Sequence, residues 1–389
     1  MQAAVRYRVT NCGLGAGAWV PVVRKVVWGM VSDGTIQDLI KLLVREGGSD
    51  LHLKVGSPPI IRVNGLLSPV EGYEVLDSAG IEAMLGEIMP ETLVEDFGRV
   101  GEADFSYEAE VGRFRVNAFR QRGFVSIVMR FIPFDIPRFE ELGLPEVIRT
   151  LAFEERGIIL LTGTTGSGKS TTLASMIDMV NHAMPRHVVT IEDPIEFLHR
   201  DDKSIINQRE VGTDTESFAR ALRRVLRQDP DIILIGEIRD AESAQIALSA
   251  AETGHLVLST LHTVDATETV NRMVDLFPPH ERGQVRTMLA GTLKGIVGQR
   301  LVRTRDGGRT PVCEVMVTTG RIRDFIMDPT QTGQIEQAIS EGEYYGMQTF
   351  DQALLKLVQE DKVDYDEALR YATRPQDFKL MVYALGKSE

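Results

Sequence analysis

The chain has 389 residues, 25% charged and 43% apolar, enough for two or three domains and a sizeable core. Its formal net charge of −13 argues against a protein built mainly to coat nucleic acid, because such surfaces are basic. Two cysteines, Cys12 and Cys313, stand far apart without CxxC spacing, which excludes a disulfide framework and a four-thiolate zinc site and suggests a reduced interior.

Residues 1–29 mix arginine, glycine and apolar residues without a sustained period, so they read as a disordered tail or an upstream-start extension, not a secretory signal. From Met30 the pattern settles. Asp33 or Thr35 is placed to cap a helix whose Ile36, Leu39, Ile40 and Leu43 form one stripe. Between about 50 and 132 come short alternating segments such as DFSYEAEV and RFRVNAFR, the pattern of a half-exposed antiparallel sheet. One helix is expected near 78–97 from Ile81, Met84, Leu85 and Ile88. Residues 30–138 thus predict a small α+β domain, and prolines 133, 137 and 145 punctuate a linker over 139–152.

From residue 153 the texture changes. GIILLTG, VVTIED, DIILIGE and GHLVLSTLH are compact apolar strands separated by amphipathic stretches, which predicts a mostly parallel sheet covered on both faces. After about 310 the pattern becomes helical. No apolar run approaches the roughly 18 residues of a membrane span, so the expected setting is cytoplasmic.

The chemistry is concentrated in the second half. GTTGSGKS matches GxxxxGK[ST] after a strand and before a helix. Gly163, Thr164, Thr165, Gly166, Ser167, Gly168, Lys169, Ser170 and Thr171 are the nucleotide-binding residues it predicts. Backbone N–H groups of such a loop close around phosphates; Lys169 reaches the β- and γ-phosphates and the Ser170 hydroxyl ligates Mg²⁺. ATP and Mg²⁺ are therefore the expected ligands. In such a fold a second strand brings a carboxylate to the metal, and Glu237 ends DIILIGE in that position, acting through a bound water.

Hydrolysis also needs a group that orients the attacking water. VVTIEDPIEF ends in Glu192 and Asp193, then turns at Pro194 to Glu196. Glu196 is the expected water-activating residue, with Glu192 and Asp193 holding metal or outer water. His262 follows GHLVLSTL, where it would sense the γ-phosphate or brace the carboxylates, and His255 begins the same strand. Arg113 and Arg115, two apart on one strand face, would reach a phosphate across the domain join as arginine fingers. Arg220, Arg223, Arg224 and Arg227 share a helix face that suits solvent or a neighbouring subunit.

Together SDLHLKVGSPPIIRVNG, GTTGSGKSTTLASMID, TIEDPIEFLH, IILIGEIRD and TGHLVLSTLHT resemble the secretion-type ATPases, and among them the type IV pilus retraction ATPases, over about nine-tenths of the chain. The resemblance implies a PAS-like N-terminal domain, a RecA-like ATPase domain over 153–389 with C-terminal helices, and a homohexameric ring. It implies that turnover acts on the inner-membrane platform protein at the cytoplasmic face, powering retraction and twitching motility. By motif it assigns Lys169 and Ser170 to nucleotide and metal, Glu196 to catalysis and Glu237 to the Walker B acid, with His262 and Arg113 completing the site. RIRDFI, residues 321–326, keeps Ile322, Arg323 and Ile326 of the retraction family's C-terminal helix motif, while Arg321, Asp324 and Phe325 differ. Assembly and type II secretion ATPases of the superfamily usually add an N-terminal domain and a four-cysteine insertion, absent from this sequence. A nucleic-acid translocase would show basic channel loops and stacking aromatics, and a non-hydrolysing scaffold would lack Glu192, Glu196 or Glu237.

Overall fold

The computed structural model describes residues 35–63, 65–132 and 136–384. The tail expected over 1–29 lies outside the described residues. Thr35 caps the first helix, α1 (Ile36–Arg45), in a reciprocal box with Asp38, and Ile36, Leu39, Ile40 and Leu43 are buried. Six strands follow in an antiparallel sheet: β1 (Gly48–Lys54), β2 (Ile60–Val63), β3 (Leu66–Pro69), β4 (Glu102–Ala109), β5 (Gly112–Gln121) and β6 (Phe124–Ile132), ordered β3-β2-β1-β6-β5-β4. In β5 the core residues Phe114, Val116 and Ala118 alternate with Arg113, Arg115 and Asn117 on the other face. The single helix expected near 78–97 is two, α2 (Ser78–Ile88) and α3 (Glu91–Val100). Pro90 divides them, because it lacks the N–H a continuing helix needs and biases Met89 to an extended backbone.

The second sheet has seven strands: β7 (Gly157–Thr162), β8 (His187–Glu192), β9 (Ile205–Glu210), β10 (Ile232–Ile235), β11 (Leu256–Leu261), β12 (Leu293–Arg303) and β13 (Arg309–Val317). Their order is β13-β12-β7-β11-β10-β8-β9, parallel throughout except for the β12–β13 hairpin. The alternation along β7 explains its wholly apolar sequence. Ile158 and Leu160 face one core, with Ala247 and Leu248, while Ile159 and Leu161 face a second, with Leu173 and Ile177. Burying such a side chain on either face contributes about 1.5–3 kcal/mol.

The first core is covered by α6 (Phe218–Val225), α7 (Ala241–Glu252), α8 (Ala266–Asp275), α9 (Arg282–Thr292), α10 (Gly320–Met327) and α11 (Ile335–Ser340); the second by α4 (Glu146–Ala152) and α5 (Lys169–Ala183). Residues 139–152 carry a short 3-10 turn and α4, whose Ile148 and Leu151 join that second core with Phe139. A third cluster joins Val302 and Val312 to α12 (Phe350–Gln359), α13 (Tyr365–Tyr371) and α14 (Pro375–Ala384). The region after 310 is thus helical only beyond β13. Gly307 and Gly308 turn the hairpin that precedes it, where Gly307 adopts a φ of 86°. Among the described residues no helix is long and apolar enough to cross a membrane.

Candidate active site

β7, β11, β10 and β8 are parallel neighbours, so their C-terminal ends open along one edge, where ligands bind in open α/β sheets. β7 runs into the glycine-rich loop and α5 leaves it. Gly163, Gly166 and Gly168 have φ of 137°, 80° and 90°, a region that side-chain-bearing residues rarely adopt. A Cβ on Gly168 would meet Gln299 Nε2 at 2.8 Å, so β12 packs directly beneath the loop. Gln299 is itself buried and accepts a 2.9 Å hydrogen bond from Thr172 Oγ1.

Lys169 Nζ donates to the Gly163 carbonyl at 2.8 Å and the Thr164 carbonyl at 3.0 Å. Burial lowers its pKa, and the nearby charges of Glu237 and Glu196 oppose that shift. An ammonium has three donors, so one is left for a phosphate oxygen. Ser167 Oγ in the same loop is buried with no partner among the described residues. Ser170 stands in the first turn of α5, where helix N–H groups are free and the dipole favours an anion.

The carboxylates divide by what surrounds them. Glu192, at the end of β8, accepts Thr190 Oγ1 at 2.6 Å, Gln208 Nε2 at 3.3 Å and the Glu196 backbone N–H. Burial, the largest influence, pushes its carboxyl up despite those bonds. The chain then turns through a cis Asp193–Pro194 peptide, and Glu196 lies exposed in the cleft. Glu237 follows β10 and Gly236, accepting Arg239 Nε at 2.8 Å and lying 3.4 Å from His262 Nε2. Two side chains of β11 hold that end of β10: Ser259 Oγ donates to the Ile235 carbonyl and Thr260 Oγ1 to Gly236, both at 2.7 Å.

A cleft of about 620 Å³ joins these groups. It is lined by Thr165, Gly166, Gly168, Lys169, Ser170 and Thr171 of the loop and by Glu192, Asp193, Glu196, Glu237 and His262. Gly163, Thr164 and Ser167 belong to the same loop but do not line the cleft. His255 is at the far end of β11, with Nδ1 bound to the Ala250 carbonyl at 3.0 Å.

Arg113 and Arg115 do not line the cleft. Arg113 Nη2 is paired with Glu210 Oε2 at 3.0 Å, and Arg115 is exposed on the same strand. The helix arginines stay outside too: Arg220 pairs with Glu216, and Arg223 with Glu242 at 2.8 Å.

Phe218, Leu301 and Arg309 also line the cleft from outside every motif, whereas Phe197, His199 and Arg239 lie inside TIEDPIEFLH and IILIGEIRD but were assigned no role from the sequence. His199 is buried enough that its pKa is pushed down to about 4, which keeps the imidazole neutral. Leu301 and Arg309 come from the β12–β13 hairpin, and the one local signal for it was the Asp306-Gly307-Gly308 turn.

A family model described as "Type II/IV secretion system protein" matches residues 105–370. The chain belongs to this family. It is a secretion-system ATPase, with an ATPase domain of the RecA-like class preceded by a small α+β domain. It is 44% identical over 344 residues to PilT, a type IV pilus retraction ATPase of Pseudomonas aeruginosa, covering 88% of this chain and 99% of that relative. It is 42% identical over 355 residues to PilU, a type IV pilus ATPase of the same organism, covering 91% and 92%. A crystal structure of the pilus retraction motor PilT with bound ADP superposes at a TM-score of 0.83 and 41% identity, covering 89% of this chain and 99% of that one.

Proposed function

We propose that this ATPase is a type IV pilus retraction motor. It works as a homohexamer on the inner-membrane platform protein, at the cytoplasmic face of the membrane. The observation that carries the reading is the convergence of Lys169, Ser170, Glu196, Glu237 and His262 on one cleft, in a chain that spans nearly the whole length of its retraction-motor relative.

The chemistry follows from what each residue has free. The glycine loop and the first turn of α5 direct N–H groups at the phosphates of ATP, and Lys169 adds its remaining donor. The donor set suits Mg²⁺: Ser170 Oγ would ligate it directly and Glu237 through water. Among the described residues no three His, Cys, Asp or Glu side chains form a metal cage, which fits an ion that keeps waters and substrate oxygens. When bound, Mg²⁺ supplies charge neutralisation of the phosphates.

Glu196 is exposed in the cleft just beyond the proline turn, so it orients the attacking water and takes its proton. Glu192 cannot share that task readily, because its oxygens already hold Thr190, Gln208 and the Glu196 backbone. His262 braces Glu237. Turnover moves the small domain, residues 30–138, against the ATPase domain over 153–389, into which residues 139–152 pack.

Deleting the gene and supplying back Lys169→Ala tests the whole reading. The expected result is more surface pili with lost twitching motility, unrescued by the variant, whose purified form hydrolyses no ATP. Fewer or no surface pili would replace retraction by assembly; turnover by the purified variant near the unaltered rate would end the P-loop argument.

A further inference from the structure

Two side chains of the small domain, Ser106 on β4 and Arg113 on β5, both reach one residue of the ATPase domain, Glu210. Glu210 is the last residue of β9, the edge strand beside β8, and is 4% exposed. Its Oε1 accepts Ser106 Oγ at 2.5 Å and Thr213 Oγ1 at 3.2 Å. Its Oε2 accepts Arg113 Nη2 at 3.0 Å and also the backbone N–H of Ile195 at 3.1 Å. Ile195 immediately precedes Glu196. One carboxylate oxygen therefore holds both the small domain's arginine and the turn that carries the cleft-facing glutamate.

The physical chemistry makes this contact responsive. A carboxylate this buried is tolerated only while a cation and hydrogen bonds compensate it. Arg113 is the cation paired with it, and its own Nε is buried with no partner among the described residues, so docking leaves the guanidinium incompletely satisfied. Moving the small domain away withdraws Arg113 and Ser106 together. Glu210 is then short of compensation, and its bond to Ile195 N–H is the link through which the 193–197 turn feels the change.

We infer that Glu210 is a positioning residue that transmits the docking of the small domain, through Ile195, to the placement of Glu196. The inference rests on the assignment of Glu196 above and gives Arg113 a role at Glu210, 97 positions further along the chain. In this arrangement Arg113 acts on the water-orienting turn and not on the phosphate.

The test uses the full-length chain with ATP turnover and hydrogen exchange read together. Arg113→Gln does not touch the 193–199 segment, yet it should speed amide exchange there by about fivefold or more. Glu210→Gln should lower kcat about tenfold while KM for ATP stays within about threefold. The double variant should be no slower than the slower single one, because both act through the same oxygen. Unchanged exchange at 193–199 in Arg113→Gln, or independent effects that multiply in the double variant, would overturn the proposal. Folding is checked by affinity for a fluorescent ATP analogue. If Glu210→Gln does not fold, Ser106→Ala and Arg113→Lys carry the same exchange and kcat readings without stranding a buried charge. Lys169→Ala and Glu196→Gln run in the same assay separate the two failures. If they remain active, the site reading falls; if they are dead while Glu210→Gln is unaffected, only this inference does.

Discussion

The two sheets of this molecule do different work. The seven-stranded sheet is buried on both faces, its central strands are parallel, and its chemistry sits where those strands end. Lys169, Glu196, Glu237 and His262 each lie within a few residues of an apolar run that places them. The six-stranded sheet is antiparallel and packs one face on α1, α2 and α3. Its polar face reaches the site only by docking, and Arg113 meets Glu210 instead of the cleft. A parallel sheet with covered faces builds a site into its own edge, whereas a half-exposed sheet contributes through the partner it touches.

The largest expected effect tests the first half of that contrast. Glu196→Gln should keep ATP binding and lose turnover by about 10²-fold or more. Glu192→Gln should cost less than about tenfold, since burial already favours an uncharged carboxyl at that position and an amide keeps an acceptor for Thr190. Steady-state turnover of the two variants decides it: a greater loss in Glu192→Gln would exchange their roles.

The next effect asks whether the two sheets fail separately. Phe114 is fully buried in the small domain, with its ring 5.3 Å from that of Phe131. Phe114→Ala should cost about 3–5 kcal/mol of that domain's stability, through lost transfer energy and the cavity left behind. Because the ATPase cores are distinct clusters, ATP-analogue binding should persist. Leu160→Ala, in the strand that leads into the P-loop, should cost about 2–5 kcal/mol and lose binding as well. Parallel denaturation and binding titrations give the answer, and loss of binding in Phe114→Ala would join what the contrast separates.

The same difference explains what could be read from the chain. The P-loop and the turn around Glu196 are local: glycine spacing, an apolar strand and a proline turn define them within a dozen residues. Thr35 was legible as one of two candidate caps, with Asp33, and the structure completes a box between Thr35 and Asp38 three residues later. β9 was not, since IINQRE alternates weakly at a half-exposed edge. β12 hid because Gly295, Gly298 and Gln299 interrupt LKGIVGQRLVR, yet Gly295 lies against Leu151 and Gly298 against Phe350, so both glycines are packing requirements and not turns. Glu210 carries no signal at all, because its meaning depends on Ser106, Arg113 and Ile195, which fold around it from three other segments.

The effects that appear only as a dependence on pH concern two buried carboxyls, one in each domain, whose shifts run in opposite directions. Glu314 on β13 accepts the Ala266 N–H at 2.8 Å, and burial pushes its pKa up to about 7, with Asp265 adding to the rise and Arg300 opposing it. The folded chain therefore holds a proton that the unfolded chain has released, and stability falls as pH rises from about 4.5 to about 7. Glu314→Gln removes that slope. It should match the parent below about pH 4 and exceed it above pH 7 by on the order of 3 kcal/mol, measured as the difference in denaturant midpoints.

Asp50 in the small domain is equally enclosed, but the hydrogen bonds from Ser49 and Arg130 and the charges of Arg130 and Arg62 outweigh burial and hold its carboxyl below the usual range. Its contribution is present above the unfolded carboxyl range and is lost only as pH falls through the lowered value. Asp50→Asn should thus weaken the small domain at pH 7 and make no difference in strong acid, the reverse of Glu314→Gln. Because Arg130 is 71% exposed, the Asp50 effect is the smaller of the two. Equal pH slopes in both variants would mean that the domains enclose their carboxyls alike, and that only the ATPase domain's active-site edge distinguishes them.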